Sequence, residues 1–428
     1  MLIMRRKTAL FVFAALLLFQ TKIILAGPIQ TGDRLTLEKC LDIARTMNPQ
    51  ILTAEQAVNA SQSRIGQAKA NYYPQLNVSS GYNHGWSSTG TASGSSDQFS
   101  ANIGVSQNIW DFGKTSTQVK VSNLNLDSAS FNLGNVSSQI VLQVKQYYYQ
   151  LLQAQKAEGV SREAVAQYQK HLEQAQGFYE TGRSPKFDVT KAQVDLGNAR
   201  LDLINAENAS RIALVNLNNA MGLLDAPEYT VEDNLALRHP EIILADALET
   251  AYRNRPDLNA AVTQREAAGL SVDLVRKGYY PTLSGSAGYG WSGGNFPPGN
   301  DSWSAGVTLS VPIFNGFSTK YKVDEAGANF QAAKSQEETA RQGVSLDVKQ
   351  AYLTLQSAEA KIPVAELTVT QARENLELAN GRYEAGVGSP IEVTDSQAAY
   401  SQARYAYIQT LYQYQIAQAG LDKAIGVQ

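Results

Sequence analysis

The sequence predicts a mainly α-helical protein that also carries a membrane β-barrel. Three observations lead to this fold class: a secretory signal at the N-terminus, an internal duplication, and a hydrophobic period that switches between helix and strand within each copy. Each copy is predicted to contain a helix, a β-hairpin, a long helix and a second helix, in that order.

The N-terminus has the layout of a secretory signal peptide. Basic residues at positions 5–7 precede an apolar run over 9–19, and Ala26 supplies a small residue for cleavage. The apolar run is shorter than the ~20 residues that a membrane-spanning helix needs. We therefore predict that residues 1–26 are removed on export, with an uncleaved membrane anchor as the alternative.

The composition argues against several classes of function. Cleavage after Ala26 removes four of the 36 basic residues and no acid, which leaves 32 basic and 39 acidic residues and a net charge of −7. This balance lacks the basic face that nucleic acids require, so we predict no nucleic-acid partner. Cys40 is the only cysteine, and an intramolecular disulfide is therefore impossible.

No arrangement of residues is typical of an enzyme or a metal site. His84, His171 and His239 lie on different predicted elements without metal-ligand spacing, and we interpret them as ordinary loop or surface residues. Residues 288–293 match G-x-G-x-x-G, but they lie in a strand that runs into a loop, and no helix follows. We predict no catalytic residue, no metal and no cofactor.

The chain is an internal duplication. The Tyr-Tyr-Pro of 72–74 recurs at 279–281, a shift of 207, and the Tyr-Glu-Thr-Gly of 179–182 recurs as Tyr-Glu-Ala-Gly at 383–386, a shift of 204. Independent matches that share a shift exclude chance similarity. The predicted boundaries are a first repeat over 27–223, a mid-height connector over 224–240 and a second repeat over 241–428.

Strand periodicity follows each Tyr-Tyr-Pro. Leu76, Val78 and Tyr82 alternate with polar residues, and a loop rich in Ser, Gly and Thr leads to a second alternating run. The predicted hairpin strands lie at about 75–86 and 98–110 in the first repeat, and at about 282–291 and 302–313 in the second.

Long helical rods follow the hairpins. Helical spacing runs from about 114 to 180 and from about 319 to 384, where Pro363 is expected to kink or loosen the helix. About 65 residues at ~1.5 Å each make a rod of roughly 100 Å, and its narrow apolar stripe is typical of coiled-coil packing. We expect the half-length helix at 186–221 to stack end to end on 241–277 and match one rod, while the first and last helices form a similar stack.

Four strands per chain cannot close a membrane barrel alone. The smallest membrane barrels have eight strands, and a strand edge exposed to lipid is excluded by the cost of its unpaired backbone groups. Sharing the barrel among protomers solves this problem. Two protomers would give eight strands around a lumen filled by side chains, whereas three would give twelve strands and a conduit. The need to pair every strand edge does not by itself fix the number of protomers, and it also permits numbers other than three.

Aromatic residues gather at both ends of the predicted strands, as in the girdles of a membrane barrel. Ordinary sheet packing is the alternative interpretation, and the signal peptide and the repeat favour the membrane. The candidate residues at the interface with outer-membrane lipid are Tyr72, Tyr73, Trp86, Trp110, Tyr279, Tyr280, Trp291, Trp303 and Phe314.

Taken together, these motifs resemble the TolC family of outer-membrane efflux proteins. The resemblance rests on Asn48-Pro49, on the Asn-Arg-Pro-Asp-Leu of 254–258, on the two Tyr-Tyr-Pro motifs and on the helix breaks that follow Tyr179 and Tyr383. It implies a homotrimer with a twelve-stranded barrel on an α-helical periplasmic tunnel, in the outer membrane of a Gram-negative bacterium. It also implies a periplasmic adaptor (membrane fusion) protein and an inner-membrane transporter as partners, which would open this passive conduit for multidrug efflux or type I secretion.

The same resemblance implies roles for the two helix breaks. Relatives use these tips to dock the adaptor, and the matching residues here are Gly182, Arg183, Ser184, Pro185, Gly386, Val387, Gly388, Ser389 and Pro390. Relatives often place a basic residue in the second break, where this chain has Val387 and Gly388. Arg183 is therefore expected to be the only arginine at a tip.

Acidic residues beyond the breaks would line the closed aperture, and the matching positions are Asp188, Glu392 and Asp395. Glu392 and Asp395 are three residues apart on one helix face, so that three copies would make a ring that favours cations. A solvated charge at a helix start is the alternative for these carboxylates. The alternative for the whole protein is a structural envelope or surface coiled-coil protein without transport activity.

Overall fold

The computed structural model describes residues 29–89, 92–233, 235 and 242–427; the predicted signal peptide and His239 lie outside these residues. In chain order the elements are β1 (Arg34–Leu35), α1 (Leu37–Met47), α2 (Pro49–Lys69), β2 (Gln75–Thr89), β3 (Ala92–Trp110), α3 (Lys114–Glu180), α4 (Lys186–Met221), β4 (Thr230–Val231), α5 (Leu244–Asn254), α6 (Pro256–Arg276), β5 (Thr282–Gly293), β6 (Asn300–Ser310), α7 (Ser318–Glu384) and α8 (Pro390–Ile425), with single 3-10 turns between α2 and β2 and between α6 and β5. None of these helices is long and apolar enough to cross a membrane.

The helices of the two copies have the same lengths. α1 and α5 have 11 residues, α2 and α6 have 21, α3 and α7 have 67, and α4 and α8 have 36. α7 runs unbroken past Pro363. The hairpins differ, because β2 and β3 have 15 and 19 residues while β5 and β6 have 12 and 11.

The first hairpin extends further than its alternating pattern suggests. Its strands continue into the Ser-, Gly- and Thr-rich segment, where Trp86 pairs with Ser95 and Ser87 with Gly94. Backbone pairing in a ladder requires no apolar side chain, so a polar segment that looks like a loop can still form strand. β6 ends at Ser310, before the predicted position 313.

The end-to-end stacking of the half-length helices differs from the prediction. Gly222 ends α4 with a left-handed φ of 80°, and a Cβ at this position would lie 2.7 Å from the carbonyl oxygen of Met47. Asn48 also donates from Nδ2 to the carbonyl oxygen of Ala220 at 2.9 Å. α4 therefore meets the junction of α1 and α2 in its own repeat.

The second repeat forms the equivalent junction, where Gly426 at the end of α8 lies against Asn254 and Arg255. The buried Arg255 guanidinium bonds Asp257 at 2.6 Å and Asp347 of α7 at 2.8 Å. The predicted stack of 186–221 on 241–277 is thus wrong. Because the first helices of both repeats have equal lengths, length matching could not distinguish the two partners.

Side-by-side packing places the helices in a fixed order. α3 packs on α2 and α4 on one side and on α6 and α8 on the other, while α7 packs on α6 and α8. Apolar clusters fill these contacts, for example Leu172 and Ala175 against Ala192 and Leu196. The α2/α4 stack and α7 are therefore the two free edges of the helical layer.

A short parallel pair of strands joins the start of the first repeat to the connector at the middle of the rods. Arg34 pairs with Thr230, and Leu35 pairs with Val231. The Tyr148 hydroxyl of α3 donates to the carbonyl oxygen of Glu232 at 2.5 Å. The connector is therefore held against the long helix of the first repeat.

The hairpins form one antiparallel sheet in the order β2-β3-β5-β6. Residues of one face alternate with residues of the other along each strand. The first face is mainly apolar and includes Leu76, Val78, Tyr82, Phe99, Ile103, Val105, Leu283, Tyr289, Trp291, Trp303, Val307 and Leu309. The opposite face, over 75–87, 94–108, 282–292 and 300–310, carries only Ser, Thr, Asn, Gln and Gly.

Candidate functional site

Both helix breaks are built as the same turn. Gly182 and Gly386 have φ values of 70° and 76°, which a residue without a Cβ adopts at little cost. After each glycine the chain turns back onto the helix, as Arg183 N donates to the Phe178 oxygen at 2.8 Å and Val387 N to the Arg382 oxygen at 3.0 Å. This is the Schellman motif of a helix C-terminus, and it makes each tip a compact turn.

The second tip is tightly packed against its own helix. A Cβ on Gly388 would lie 2.8 Å from the Tyr383 nitrogen and 2.9 Å from the Arg382 carbonyl carbon. Ser389 then caps α8, because its Oγ accepts a hydrogen bond from Ile391 N at 3.2 Å. Pro390 occupies the first turn of α8, where a missing N–H has no consequence.

The two tips contact each other through Arg183. Its guanidinium carbon lies 4.6 Å from the centre of the Phe178 ring, a cation–π contact within the first tip. Its Nη2 atom lies 3.5 Å from the position that a Cβ on Gly386 would take. The structure therefore brings the two predicted docking segments together.

A second arginine is present at the tips, contrary to the prediction. Arg382, one turn before the break, pairs its Nε with Glu392 Oε2 at 3.3 Å and donates from Nη2 to the Val387 carbonyl oxygen at 3.4 Å. A basic side chain in the helix can reach over the turn because the Schellman motif folds the chain back. Because Arg382 lies in the helix and not in the break itself, the sequence did not indicate that its side chain belongs to the tip.

The three predicted aperture carboxylates have different surroundings. Glu392 is paired with Arg382, and Asp395 is exposed on α8. Asp188 is half-buried on α4, and its charge contributes to raising the pKa of the Tyr383 phenol, after the larger effect of burial. Asp188 thus faces the contact between the repeats, apart from the Arg382–Glu392 pair.

Aromatic residues form a buried contact between the repeats just above the tips. We call this group the seam cluster, and it consists of His171 and Phe178 of α3 and Tyr383 of α7. The ring centres of His171 and Phe178 each lie 5.4 Å from that of Tyr383. His171 is 7% exposed, so its interpretation as a loop or surface residue is wrong. The sequence offered one weak signal for the burial of His171: its apolar neighbours Leu172 and Ala175 mark the buried side of the same helix.

The aromatic candidates on the sheet are exposed to the surroundings. Tyr72, Tyr73, Tyr279, Tyr280 and Phe314 flank the strand ends next to the helices. At the other end of the strands, Trp291 and Trp303 lie close together, in neighbouring rows of the ladder. Trp86 lies further from the helices: Ser80 is the residue of β2 in the same row as Trp291, and Trp86 follows it by six residues.

A β-bulge orients Trp110. Asn108 pairs with Ser284 and Trp110 with Leu283, which leaves Ile109 as the extra residue. An unbroken register would place Trp110 opposite Thr282, on the uncharged polar face. The bulge instead turns Trp110 to the apolar face, together with Leu283.

Left-handed residues connect the sheet to the rods in both repeats. Phe112 and Gly113 have φ values of 54° and 78°, and Gly316 and Phe317 have 64° and 63°. The two pairs occupy equivalent positions, related by the shift of 204. Both have the left-handed conformation, although the order of Phe and Gly is reversed between them. Phe112 stacks on Tyr280 at 5.7 Å, and Phe317 contacts Phe314 at 5.4 Å.

Comparisons with known proteins agree with this geometry. The family model described as "Outer membrane efflux protein" matches residues 40–223 and 247–427. Protein CyaE of Bordetella pertussis is 28% identical over 387 residues, which cover 89% of this chain and 82% of the relative. Outer membrane protein TolC of Vibrio cholerae is 25% identical over 407 residues, which cover 90% of this chain and 89% of the relative.

The fold is also similar to solved structures. The CmeC outer membrane channel of Campylobacter jejuni has a TM-score of 0.80 and 17% identity, and the match covers 91% of this chain and 85% of that one. At this identity the similarity concerns the fold.

Proposed function

This chain belongs to the outer membrane efflux protein family, and we propose that three copies of it form one export duct. The match confirms the resemblance to the TolC family and makes the protein an outer-membrane channel component of a Gram-negative efflux or type I secretion system. The proteins it resembles are channels, and we propose a passive conduit without catalytic activity.

The observation that carries the trimer proposal is an apolar stripe on each free edge of the helical layer. On α4 the stripe residues follow one another at intervals of 3, 7 or 11 positions, which keep them on one helix face, and each is at least 56% exposed: Phe187, Val194, Leu201, Ile204 and Val215. On α7 the equivalent exposed residues are Leu346, Leu353, Val364, Leu367 and Leu378. This spacing is that of a coiled-coil seam that lacks its partner helix.

α4 and α7 suit each other as neighbours between copies. α4 runs away from the tips and α7 runs towards them, so the two stripes would pack antiparallel, as α7 and α8 do within the chain. Exposed apolar patches of this extent mark interaction surfaces. A copy of the same chain supplies both stripes and closes the layer into a cylinder.

The sheet supports the same arrangement. β2 and β6 are its edge strands, with β2 running away from the helices and β6 towards them. β6 of one copy beside β2 of the next would therefore continue the antiparallel alternation. The apolar face would meet lipid, and the uncharged polar face would line the lumen. Three copies give twelve strands, wide enough for a conduit.

We propose that the tips dock a periplasmic adaptor protein and that an inner-membrane transporter supplies the energy. Gly182, Arg183 and Val387 are exposed at the end of the rods, where a partner can reach them. We propose Asp395 and Glu392 as residues of the aperture, with Asp188 at the contact between the repeats. The exposed aromatic residues are proposed to lie at the two membrane interfaces.

Trimer formation can be tested with paired substitutions on α7. Leu353→Glu places a charge in the stripe, whereas Thr354→Glu places it about 100° around the helix on an exposed position. We expect wild type and T354E to be recovered from outer-membrane fractions as trimers and L353E as monomers. Trimeric L353E would contradict the packing proposal. Recovery of wild type only from the soluble periplasm would favour a structural envelope protein instead.

A further inference from the structure

The seam cluster joins the two repeats at the point where the tips meet. His171 and Phe178 come from the long helix of the first repeat, and Tyr383 comes from the long helix of the second. Ala379 of α7 and Val393 of α8 complete an apolar surround for the Tyr383 ring. Any motion that separates the second tip from the first has to expose this cluster to water.

Two polar atoms of the cluster are buried without partners. His171 is 7% exposed and Tyr383 is 5% exposed. Among the described residues, His171 Nδ1 and the Tyr383 hydroxyl have no hydrogen-bond partner. A buried polar group without a partner loses its hydration and gains nothing in exchange, so the closed seam holds His171 in an unfavourable environment for a charge.

The charged groups around His171 come from α4. Burial is the largest influence and lowers the pKa of His171 below its ordinary value of 6.5; Asp195 and Asp188 act in the opposite direction, and Lys191 lowers it further. From α7 the cluster presents the Tyr383 phenol, and from α8 it presents the apolar Val393. The net effect of these groups is a pKa of His171 below its ordinary value while the seam is closed.

We propose that His171 is an acid-sensitive element of the tip, whose protonation shifts the duct from the closed to the open form. This inference rests on the proposed function, because it assumes that the tips close and open a conduit. In the open form the imidazole would be hydrated, and Asp188 on the neighbouring helix would stabilise its positive charge, whereas the charge of Asp195 is offset by Lys191 at 3.0 Å. In the closed form the same charge would be buried against the Tyr383 ring, on which Phe178 and Val393 also pack.

The direction of the pH effect on opening follows from the linkage between proton binding and the closed–open equilibrium. A group whose pKa is lower in the closed form than in the open form binds more protons when open, so acidification below about 6.5 favours opening. Each pKa unit of difference corresponds to about a tenfold bias per protomer. Above this range the imidazole is neutral in both forms and exerts no bias.

The test is single-channel recording of the purified trimer in planar bilayers between pH 7.5 and pH 5.5. We expect the open fraction of the wild-type channel to rise several-fold as the pH falls. His171→Gln keeps a polar side chain of similar length without a titrating group, and it should remove the rise. His84→Gln in the sheet is the matched control and should retain it, as should Asp395→Asn, which tests for titration at the aperture.

A second measurement avoids reliance on the channel. Hydrogen–deuterium exchange of peptides spanning 376–390, corrected for intrinsic exchange rates, should increase several-fold at pH 5.5 in the wild type and stay unchanged in H171Q. A wild-type tip with the same exchange and open fraction at both pH values would overturn the proposal. An equal response in trimeric H171Q would overturn it as well. A trimer that forms no channel at all would instead refute the proposed function.

Discussion

Arg382 and Glu392 form an ion pair across the second helix break, with 3.3 Å between Nε and Oε2. Both side chains are about half exposed, so the pair contributes at most ~1 kcal/mol to stability. Its effect is on charge: one of the three acids predicted for the aperture, Glu392, is offset by a cation of the same chain. Asp395, on the same helix face, forms no ion pair among the described residues.

We therefore predict unequal effects of neutralising the two acids. Asp395→Asn should lower the cation-to-anion permeability ratio more than Glu392→Gln, because the Glu392 charge is already offset. Arg382→Gln should raise the ratio by releasing that charge. Reversal potentials in asymmetric KCl across planar bilayers measure all three variants. Equal effects of D395N and E392Q would show that the ion pair does not persist in the working channel.

Tyr383 should tolerate the loss of its hydroxyl but not of its ring. Tyr383→Phe removes a buried oxygen without a partner, so tip stability should stay within ~1 kcal/mol of the wild type or increase. Tyr383→Ala should destabilise the tip by about 3–5 kcal/mol, because a large buried ring leaves a cavity. Local hydrogen exchange in α7 near the break measures the difference. A strongly destabilised Y383F would reveal a hydrogen bond that the structure does not show.

Gly388 should resist substitution because of crowding and not because of its φ angle. A Cβ there would lie 2.8 Å from the Tyr383 nitrogen, so Gly388→Ala should open the turn and weaken tip protection by ~1–3 kcal/mol. Gly381, inside α7 with nothing within 4 Å of its Cβ position, provides the control. Gly381→Ala should be stabilising by about 0.5–1 kcal/mol, as for a glycine in a helix interior. Hydrogen exchange measures both variants. If G388A and G381A change the protection of the tip in the same direction, crowding at Gly388 is not the cause.

At position 317 a glycine variant should be more stable than an alanine variant, which is the reverse of the usual order in a helix. Its φ of 63° is a left-handed conformation that costs a residue with a Cβ roughly 1–2 kcal/mol. Phe317→Gly should therefore melt at a higher temperature than Phe317→Ala, although both lose the contact with Phe314. Thermal unfolding of the detergent-solubilised protein compares the two directly. As a control, the pair Ser318→Gly and Ser318→Ala in the first turn of α7 should show the ordinary order.

The local conformations of this protein could be predicted from its sequence. The repeat shifts of 207 and 204 indicated two equivalent sets of helices, and the structure gives each pair the same length. The alternation that begins at Leu76 and Val78 indicated which strand residues share a face. The glycines at 182 and 386 marked the ends of the rods. Periodicity and turn residues encode these features within a few residues of chain, and a single sequence is sufficient to reveal them.

Contacts between distant segments were decided by the tertiary structure. α4 stacks on α2 and not on α6, because the end at Gly222 fits the bend at Met47 and Asn48, a close approach that two helices of equal length do not reveal. His171 is buried by segments distant from it in the chain, among them Tyr383, more than two hundred residues away. Arg382 reaches Glu392 because the turn at Gly386 folds back on the helix. The sequence by itself determined the duplicated elements and their faces, whereas three-dimensional packing decided which faces meet, since burial and ion pairing depend on neighbours that local pattern does not specify.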